Sequence, residues 1–208
     1  MLEILLEFCE PPVPLPPDAA CLAVKKAIRG TPADSKKCLQ LVLDNGGDAN
    51  STFVSARENN MDFEMHVSDT PLSIAVQYLP IYGKGTMQLQ IIDLLFSHNA
   101  DPNAYNPPLG ESLLHLAARR NSAIVVQRLI DAGAKATLSH SKQSALHVLL
   151  QEDRKLNVSK CLQLISHCSE FINTEDSNGN TPIIAFFVSR TKWPISVTPP
   201  MVSNIILQ

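Results

Sequence analysis

The sequence predicts an all-α chain, a solenoid of about five helix–turn–helix units with finger loops. Helix-start residues recur with matching apolar residues behind them, a second apolar stripe follows each time, and a turn leads to the next start. Asp18, Thr70, Ser112, Ser144 and Thr181 are the starts, each with a side-chain oxygen able to cap the free amides of a first turn. Two residues after them stand Ala20, Leu72, Leu114, Leu146 and Ile183, and five after them Ala23, Ala75, Ala117, Leu149 and Phe186. A spacing of three puts both columns on one helical face, and the small residue of the first three copies lets a neighbouring helix come close.

The second helix aligns from a turn position held by Gly46, Asn99, Gly133 and Ser169. Upstream of it lie Cys38, Leu39, Val42 and Leu43, then Ile91, Ile92, Leu95 and Phe96. The third copy reads Val125, Val126, Leu129 and Ile130, and the fourth Cys161, Leu162, Ile165 and Ser166. This is the 3.6-residue stripe of a helix with one buried face.

Helix, turn, helix and extended finger together resemble the ankyrin repeat. Its Thr-Pro-Leu-His start is matched by Thr70-Pro-Leu-Ser73, Ser112-Leu-Leu-His115, Ser144-Ala-Leu-His147 and Thr181-Pro-Ile-Ile184. Its Gly-Ala-Asp-x-Asn turn is matched by Gly46-Gly-Asp-Ala-Asn50, Asn99-Ala-Asp-Pro-Asn103 and, degraded, Gly133-Ala-Lys-Ala-Thr137. Leu149 and Phe186 depart from the small alanine, so less regular packing is expected in the last repeats.

The organisation expected from this register is a partial second helix at 1–9, a Pro-rich spacer at 10–17 and a repeat at 18–50. A long finger insertion follows at 51–69, then repeats at 70–111, 112–143 and 144–180 and an incomplete last repeat at 181–208. Both ends read as second helices, Met201-Val-Ser-Asn-Ile205-Ile206-Leu207 at the far end, so the chain is expected to be an excerpt of a longer protein.

Start-to-turn spacings are 28, 29, 21 and 25 residues, of which the third resembles a regular ankyrin unit. Lengthened interhelix loops are therefore expected around 30–35, 79–86, 152–157 and 190–200, on an edge that carries Tyr78, Tyr82 and Trp193. In the long finger, Met61, Phe63, Met65 and Val67 alternate with Asp62, Glu64 and His66, the period of a half-exposed strand. Residues 51–69 carry a net charge of −3.

Composition narrows function. At 45% hydrophobic and 18% charged the chain is not wholly disordered, and a net charge of −3 offers no basic footprint for nucleic acid or anionic membrane. No apolar run approaches the roughly 18 residues of a membrane span. Five cysteines without a CxxC pair fit neither a disulfide framework nor a zinc module, which points to the cytoplasm or nucleus.

No catalytic signature emerges, so no enzyme, cofactor or metal is expected. Gly83-Lys-Gly-Thr86 lacks the upstream glycine and preceding strand of a phosphate loop and reads as an interhelix turn. His115 and His147 share a repeat position where, in ankyrin repeats, the ring bonds neighbouring turns. Cys38 and Cys161 read as small buried hydrophobes, and Cys168 beside His167 is the thiol closest to a reactive setting. Pro11 to Pro17 contains PxxP without a basic neighbour and reads as a stiff spacer. Asn103 resembles the asparagine that a hydroxylase modifies in many ankyrin repeats.

The resemblance implies a non-catalytic protein-interaction module, a scaffold or adaptor that binds a protein or peptide through finger tips and first-helix ends. A monomeric array without nucleic-acid binding or membrane insertion is expected. Partner-binding candidates are Phe53, Met61, Phe63, Met65, Tyr105, Arg119, Arg120 and His140, since aromatic and arginine side chains dominate interface energies. The alternative is an internal structural or autoregulatory segment packed against flanking domains of its own chain.

Overall fold

A computed structural model describes residues 15–29, 32–57, 65–78, 85–106, 110–120, 122–152 and 157–190. The readings of 1–9, of most of the Pro-rich spacer, of Met61, Phe63, Tyr82 and Trp193, and of 201–208 lie outside the described residues. Two compact units form, Met1–Pro108 and Leu109–Gln208.

In the first unit, α1 (Ala19–Arg29) packs on α2 (Pro32–Asp44) and on α3 (Pro71–Tyr78). α4 (Gly85–Ser97) lies against α2 and α3. First helices thus stack on first helices and second on second. Between the two pairs, β1 (Phe53–Arg57) and β2 (Met65–Asp69) form an antiparallel hairpin, with Phe53 opposite Asp69 and Arg57 opposite Met65. The expected strand is therefore present, starting at Met65, and its partner β1 went unread because it shows no alternation. A two-residue strand, β3 (Tyr105–Asn106), closes the unit.

The second unit repeats the scheme after a two-residue strand, β4 (Glu111–Ser112). α5 (Leu113–Arg120) packs on α6 (Ala123–Asp131) and α7 (Ala145–Glu152). α7 packs on α8 (Val158–His167) and α9 (Pro182–Arg190), and α8 lies beside α6. The fold is all-α, with β structure confined to the fingers.

All five first helices begin one residue after a predicted cap residue. At α3 the cap is reciprocal: Ser73 N donates to Thr70 Oγ1 at 3.1 Å, and Thr70 N to Ser73 Oγ at 2.9 Å. Pro32, Pro71 and Pro182 occupy first helical positions, where the missing N–H costs nothing. Behind the caps, Ala20, Leu72, Leu114 and Leu146 are at most 4% exposed, as are most apolar residues of the second-helix stripes. Each fully buried leucine or isoleucine contributes about 1.5–3 kcal/mol, so these columns outweigh surface ion pairs worth under about 1 kcal/mol each.

Three turns end in left-handed backbone at the predicted positions, with φ of 87° at Gly46, 61° at Asn99 and 89° at Gly133. Gly133 N reaches Ile130 O and Ala134 N reaches Leu129 O, both at 2.9 Å, so the last carbonyls of α6 are satisfied.

The fourth turn differs from the sequence reading. Lys160, Cys161 and Leu164 are the buried residues of α8, whereas Leu162 and Ile165 are 62% and 41% exposed and Ser166 is exposed. The stripe is displaced by one residue, so its anchor is Cys168 rather than Ser169, and a 3-10 turn over Ser169–Phe171 replaces the left-handed residue. The reason lies at Lys160, which takes the place of Val125 in an apolar column. Its ammonium group donates to Ala118 O at 3.2 Å, meeting a carbonyl in the last turn of α5 at the negative end of that helix. Gln88 does related work in the first unit, its Nε2 donating to Ala75 O at 3.0 Å near the end of α3.

The extra residues of the first repeat, expected as a loop around 30–35, extend α2 instead, which runs 13 residues against nine for α6. Gly85 and Thr86 likewise belong to α4, and Arg190 is still helical. Asn157 caps α8 by accepting from Lys160 N at 3.1 Å.

Lys160→Met, which keeps the length of the side chain but not its charge, is expected to leave stability unchanged or raise it by about 1 kcal/mol. Lys160→Ala, which opens a hole under the α5 end, is expected to cost about 2 kcal/mol. Urea unfolding followed by circular dichroism measures both.

Candidate recognition surface

The finger bases are tied by side chains at one repeat position. Ser112 N donates to His115 Nδ1 at 3.1 Å, which makes Nδ1 the acceptor and leaves the ring proton on Nε2. Nε2 then donates to Gln143 O at 2.8 Å, the residue before the next cap. His147 repeats the arrangement: Ser144 N donates to Nδ1 at 3.1 Å, and Nε2 donates to Asn180 O at 3.1 Å. Both rings are fully buried, and burial pushes both imidazoles below their ordinary range against the opposing pull of those carbonyls. They are neutral structural ties.

Cys21 holds this position in the first repeat. Its thiol lies 3.6 Å from Asp69 O, again the residue before the next cap, and 3.4 Å from Ser51 O. Burial pushes the thiol up to about 11, so it stays protonated and can donate. Cys168 is also pushed up to about 11 by burial, which removes the thiolate a reactive cysteine needs.

The turns after the second helices are tied in a similar way. Asn50 accepts from Asp101 N at 2.6 Å and donates to Asn99 O at 2.9 Å. Asn103 has the same register, is half-buried, and its N–H donates to Asp101 Oδ1 at 2.8 Å. Asp176 Oδ1 accepts from Asn178 N and Asn180 N, shaping the last finger.

Outside these ties lie the residues proposed for partner contact. Arg119 is not a free cation: its guanidinium grips the Glu111 carboxylate with both terminal nitrogens and donates through Nε to Glu152 Oε1 at 2.8 Å. Burial lowers its basicity, but Glu111 and Glu152 more than offset this and hold it above its usual range. Glu111 is 5% exposed, so this is a half-buried cluster carrying more acid than base, with Glu152 as its exposed member. The pair with Glu152 sets the ends of α5 and α7 side by side.

His140 stands exposed on a finger with its ring against Gly110, whose φ is 63° and where a Cβ would fall 2.5 Å from His140 Cδ2. In the first unit, the half-buried Phe53 ring receives the Lys25 ammonium 3.3 Å from its centroid. Met65 lies in β2, Tyr105 in β3 and Arg120 at the end of α5. Of the partners of these residues, Lys25 and Glu152 stand at the first-helix ends expected to meet a partner, whereas Glu111 and all three pairings went unread in the sequence. The pairings depend on which helix ends the stack brings together, and helical spacing does not reveal that.

Stacked pairs of antiparallel helices, joined through capped fingers by one recurring ring position, define a helical repeat protein. Residues 82–176 match the family model for ankyrin repeats, in three copies, which supports the ankyrin-repeat reading of the sequence. The pair α1 and α2, outside the matched span, carries the same start, turn and tie. No curated protein matches the chain. Ankyrin repeats are in general protein–protein interaction modules and typically non-catalytic. No described helix is long and apolar enough to cross a membrane.

Because the folded imidazoles sit below the ordinary value of 6.5, their stabilisation is complete above that pH. It is lost as pH falls from 6.5 towards the folded value, since the unfolded chain then binds the extra protons. The melting temperature is therefore expected to fall between pH 7.5 and 5, and a His115→Gln/His147→Gln variant, less stable at pH 7.5, to lose less on acidification. Arg119→Ala is expected to cost about 3 kcal/mol by leaving Glu111 buried without its cation, whereas Glu111→Gln/Arg119→Met costs less than Arg119→Ala alone. Denaturant titration of the three chains tests this.

Proposed function

We propose that the chain is a non-catalytic scaffold or adaptor module of the cytoplasm or nucleus. It binds a protein or peptide partner through first-helix ends and finger tips. The observation that carries this reading is the Arg119–Glu152 pair, which sets the ends of α5 and α7 side by side. Alongside it the second unit exposes Glu152 and the fingertip residues His140 and Lys142. The histidine ties engage the carbonyls of Gln143 and Asn180 at the finger bases, while the side chains of His140, Lys142 and Glu152 are exposed to a partner. Recognition in the second unit centres on His140, Glu152 and the Arg119 cluster, with Arg120 at the same helix end. In the first unit it centres on Phe53, Met61, Phe63, Met65 and Tyr105 of the fingers. A monomeric array, free of nucleic acid, suits this role.

Affinity capture from cell lysate with mass-spectrometric identification tests it on three chains: the parent, one with residues 53–67 replaced by an Asn-Gly turn, and Glu152→Lys. A partner retained by the parent and lost by one variant of unchanged circular dichroism is expected, and the variant that loses it locates the surface. Capture of nothing specific by the parent refutes the adaptor reading in favour of an internal structural segment.

A further inference from the structure

Among the described residues, only Asn99 and Lys142 hold left-handed backbone without being glycine, with φ of 61° and 56°. Asparagine tolerates that region because its short polar side chain can bond locally, whereas the Cβ of a lysine there crowds the following carbonyl. Lys142 stands at the tip of the finger between α6 and α7.

The finger after α8 makes the same turn. Ser139 N donates to Gln143 O and Lys142 N to Ser139 O, both at 2.9 Å, as Asp176 N donates to Asn180 O at 2.9 Å and Gly179 N to Asp176 O at 3.0 Å. A side-chain oxygen completes each turn: Ser139 Oγ accepts from Gln143 N at 3.2 Å, and Asp176 Oδ1 from Asn180 N at 3.0 Å. Lys142 therefore takes the place of Gly179, whose φ is 76°, and stands two residues before a cap as Gly110 does with φ of 63°. This is the bulge position that glycine fills without strain. The turn itself needs no side chain there: Lys142 is exposed, and its ammonium group has no partner among the described residues.

The tip is held from both sides. Ser141 O accepts from Ser177 N at 3.0 Å, His115 Nε2 donates to Gln143 O at 2.8 Å, and the His140 ring lies against Gly110. A turn so fixed loses little backbone freedom when a partner meets it. Its charge is of one sign, because residues 132–151 contain Lys135 and Lys142 and no aspartate or glutamate, a net +2 in a chain of net −3. Both lysines are exposed. Glu175, exposed on the next finger, confines the patch to this one. Glu152 stands at the far end of the eight-residue α7, about 12 Å away and beyond the screening length of about 10 Å at 0.1 M salt.

We propose that this finger tip takes an acidic segment of the protein partner, with Lys142 as the residue that meets its carboxylates; the proposal rests on the recognition reading above and names the partner's chemistry. The strained backbone is kept because lysine at the tip, unlike glycine, presents a charge. Two lysines on one tip make no basic stripe of the kind that tracks a nucleic-acid backbone.

The test follows the amide chemical shifts of the 208-residue chain during titration with an acetylated, amidated hexaglutamate peptide, with hexaglutamine as the uncharged control. Shift changes are expected at residues 135–143 with hexaglutamate alone, and are expected to weaken as salt is raised. Lys142→Gly should lower the affinity about three- to fivefold, the scale of one exposed ion pair. It should also raise the melting temperature by about 2–4 °C by relieving the bulge, so that the lost binding does not come from a damaged fold. Lys142→Arg should keep the affinity. Equal affinity of Lys142→Gly and the parent, equal shifts with hexaglutamine, or a melting temperature that does not rise overturns the proposal. So does a short DNA duplex that binds the tip more tightly than hexaglutamate. The adaptor reading stands or falls separately, by capture with the Glu152→Lys and 53–67 variants.

Discussion

A buried ring proton organises the second unit. Each of His115 and His147 accepts from its own cap residue and donates to the chain just before the next cap, so one side chain fixes a helix start and the following finger base together. The bond has a direction because a backbone N–H can only donate and a carbonyl can only accept, which selects one tautomer of a neutral imidazole. Neighbouring repeats are thereby held at a set distance before any apolar packing between them is counted. Cys21 reaches the corresponding carbonyl in the first unit with a weaker donor, helped by burial that keeps its proton in place.

Those ties shape the candidate surface as well. They hold the finger bases by the carbonyls of Gln143 and Asn180 and so fix where the neighbouring helix-end side chains stand. There, side chains expected to act alone prove to be paired: Arg119 with Glu111 and Glu152, and Phe53 with Lys25. A partner approaching α5 and α7 meets an ion-pair cluster with a carboxylate at its exposed edge. Complementing that charge governs encounter rate and choice of partner more than total affinity.

The fourth repeat shows how one residue rearranges an element. Lysine in an apolar column cannot be left unsatisfied, and its ammonium group donates to a carbonyl at the end of α5. Reaching it sets the rotation of α8, which turns Leu162 outward although its position in the sequence reads as core. The turn that follows is a 3-10 segment, and Cys168 and Ser169 offer neither the glycine nor the asparagine that holds left-handed backbone at the other three turns.

What the sequence determined by itself was the periodic part. Cap residues, apolar columns and the positions of three left-handed turns are local chemistry, set by side-chain oxygens, helical spacing and backbone permissiveness, and they repeat often enough to be aligned within one chain. Spacing also announced an extra strand in the long finger, but not its mate, because Phe53–Arg57 gains its strand character only from pairing. The tertiary structure alone decided the long-range partners: Arg119 with Glu111 and Glu152, Lys160 with Ala118, and Cys21 with Asp69. It also decided that surplus residues of the first repeat lengthen α2 rather than form a loop. These depend on which groups become neighbours after the helices stack, and a buried polar group takes whichever acceptor the stack brings within reach.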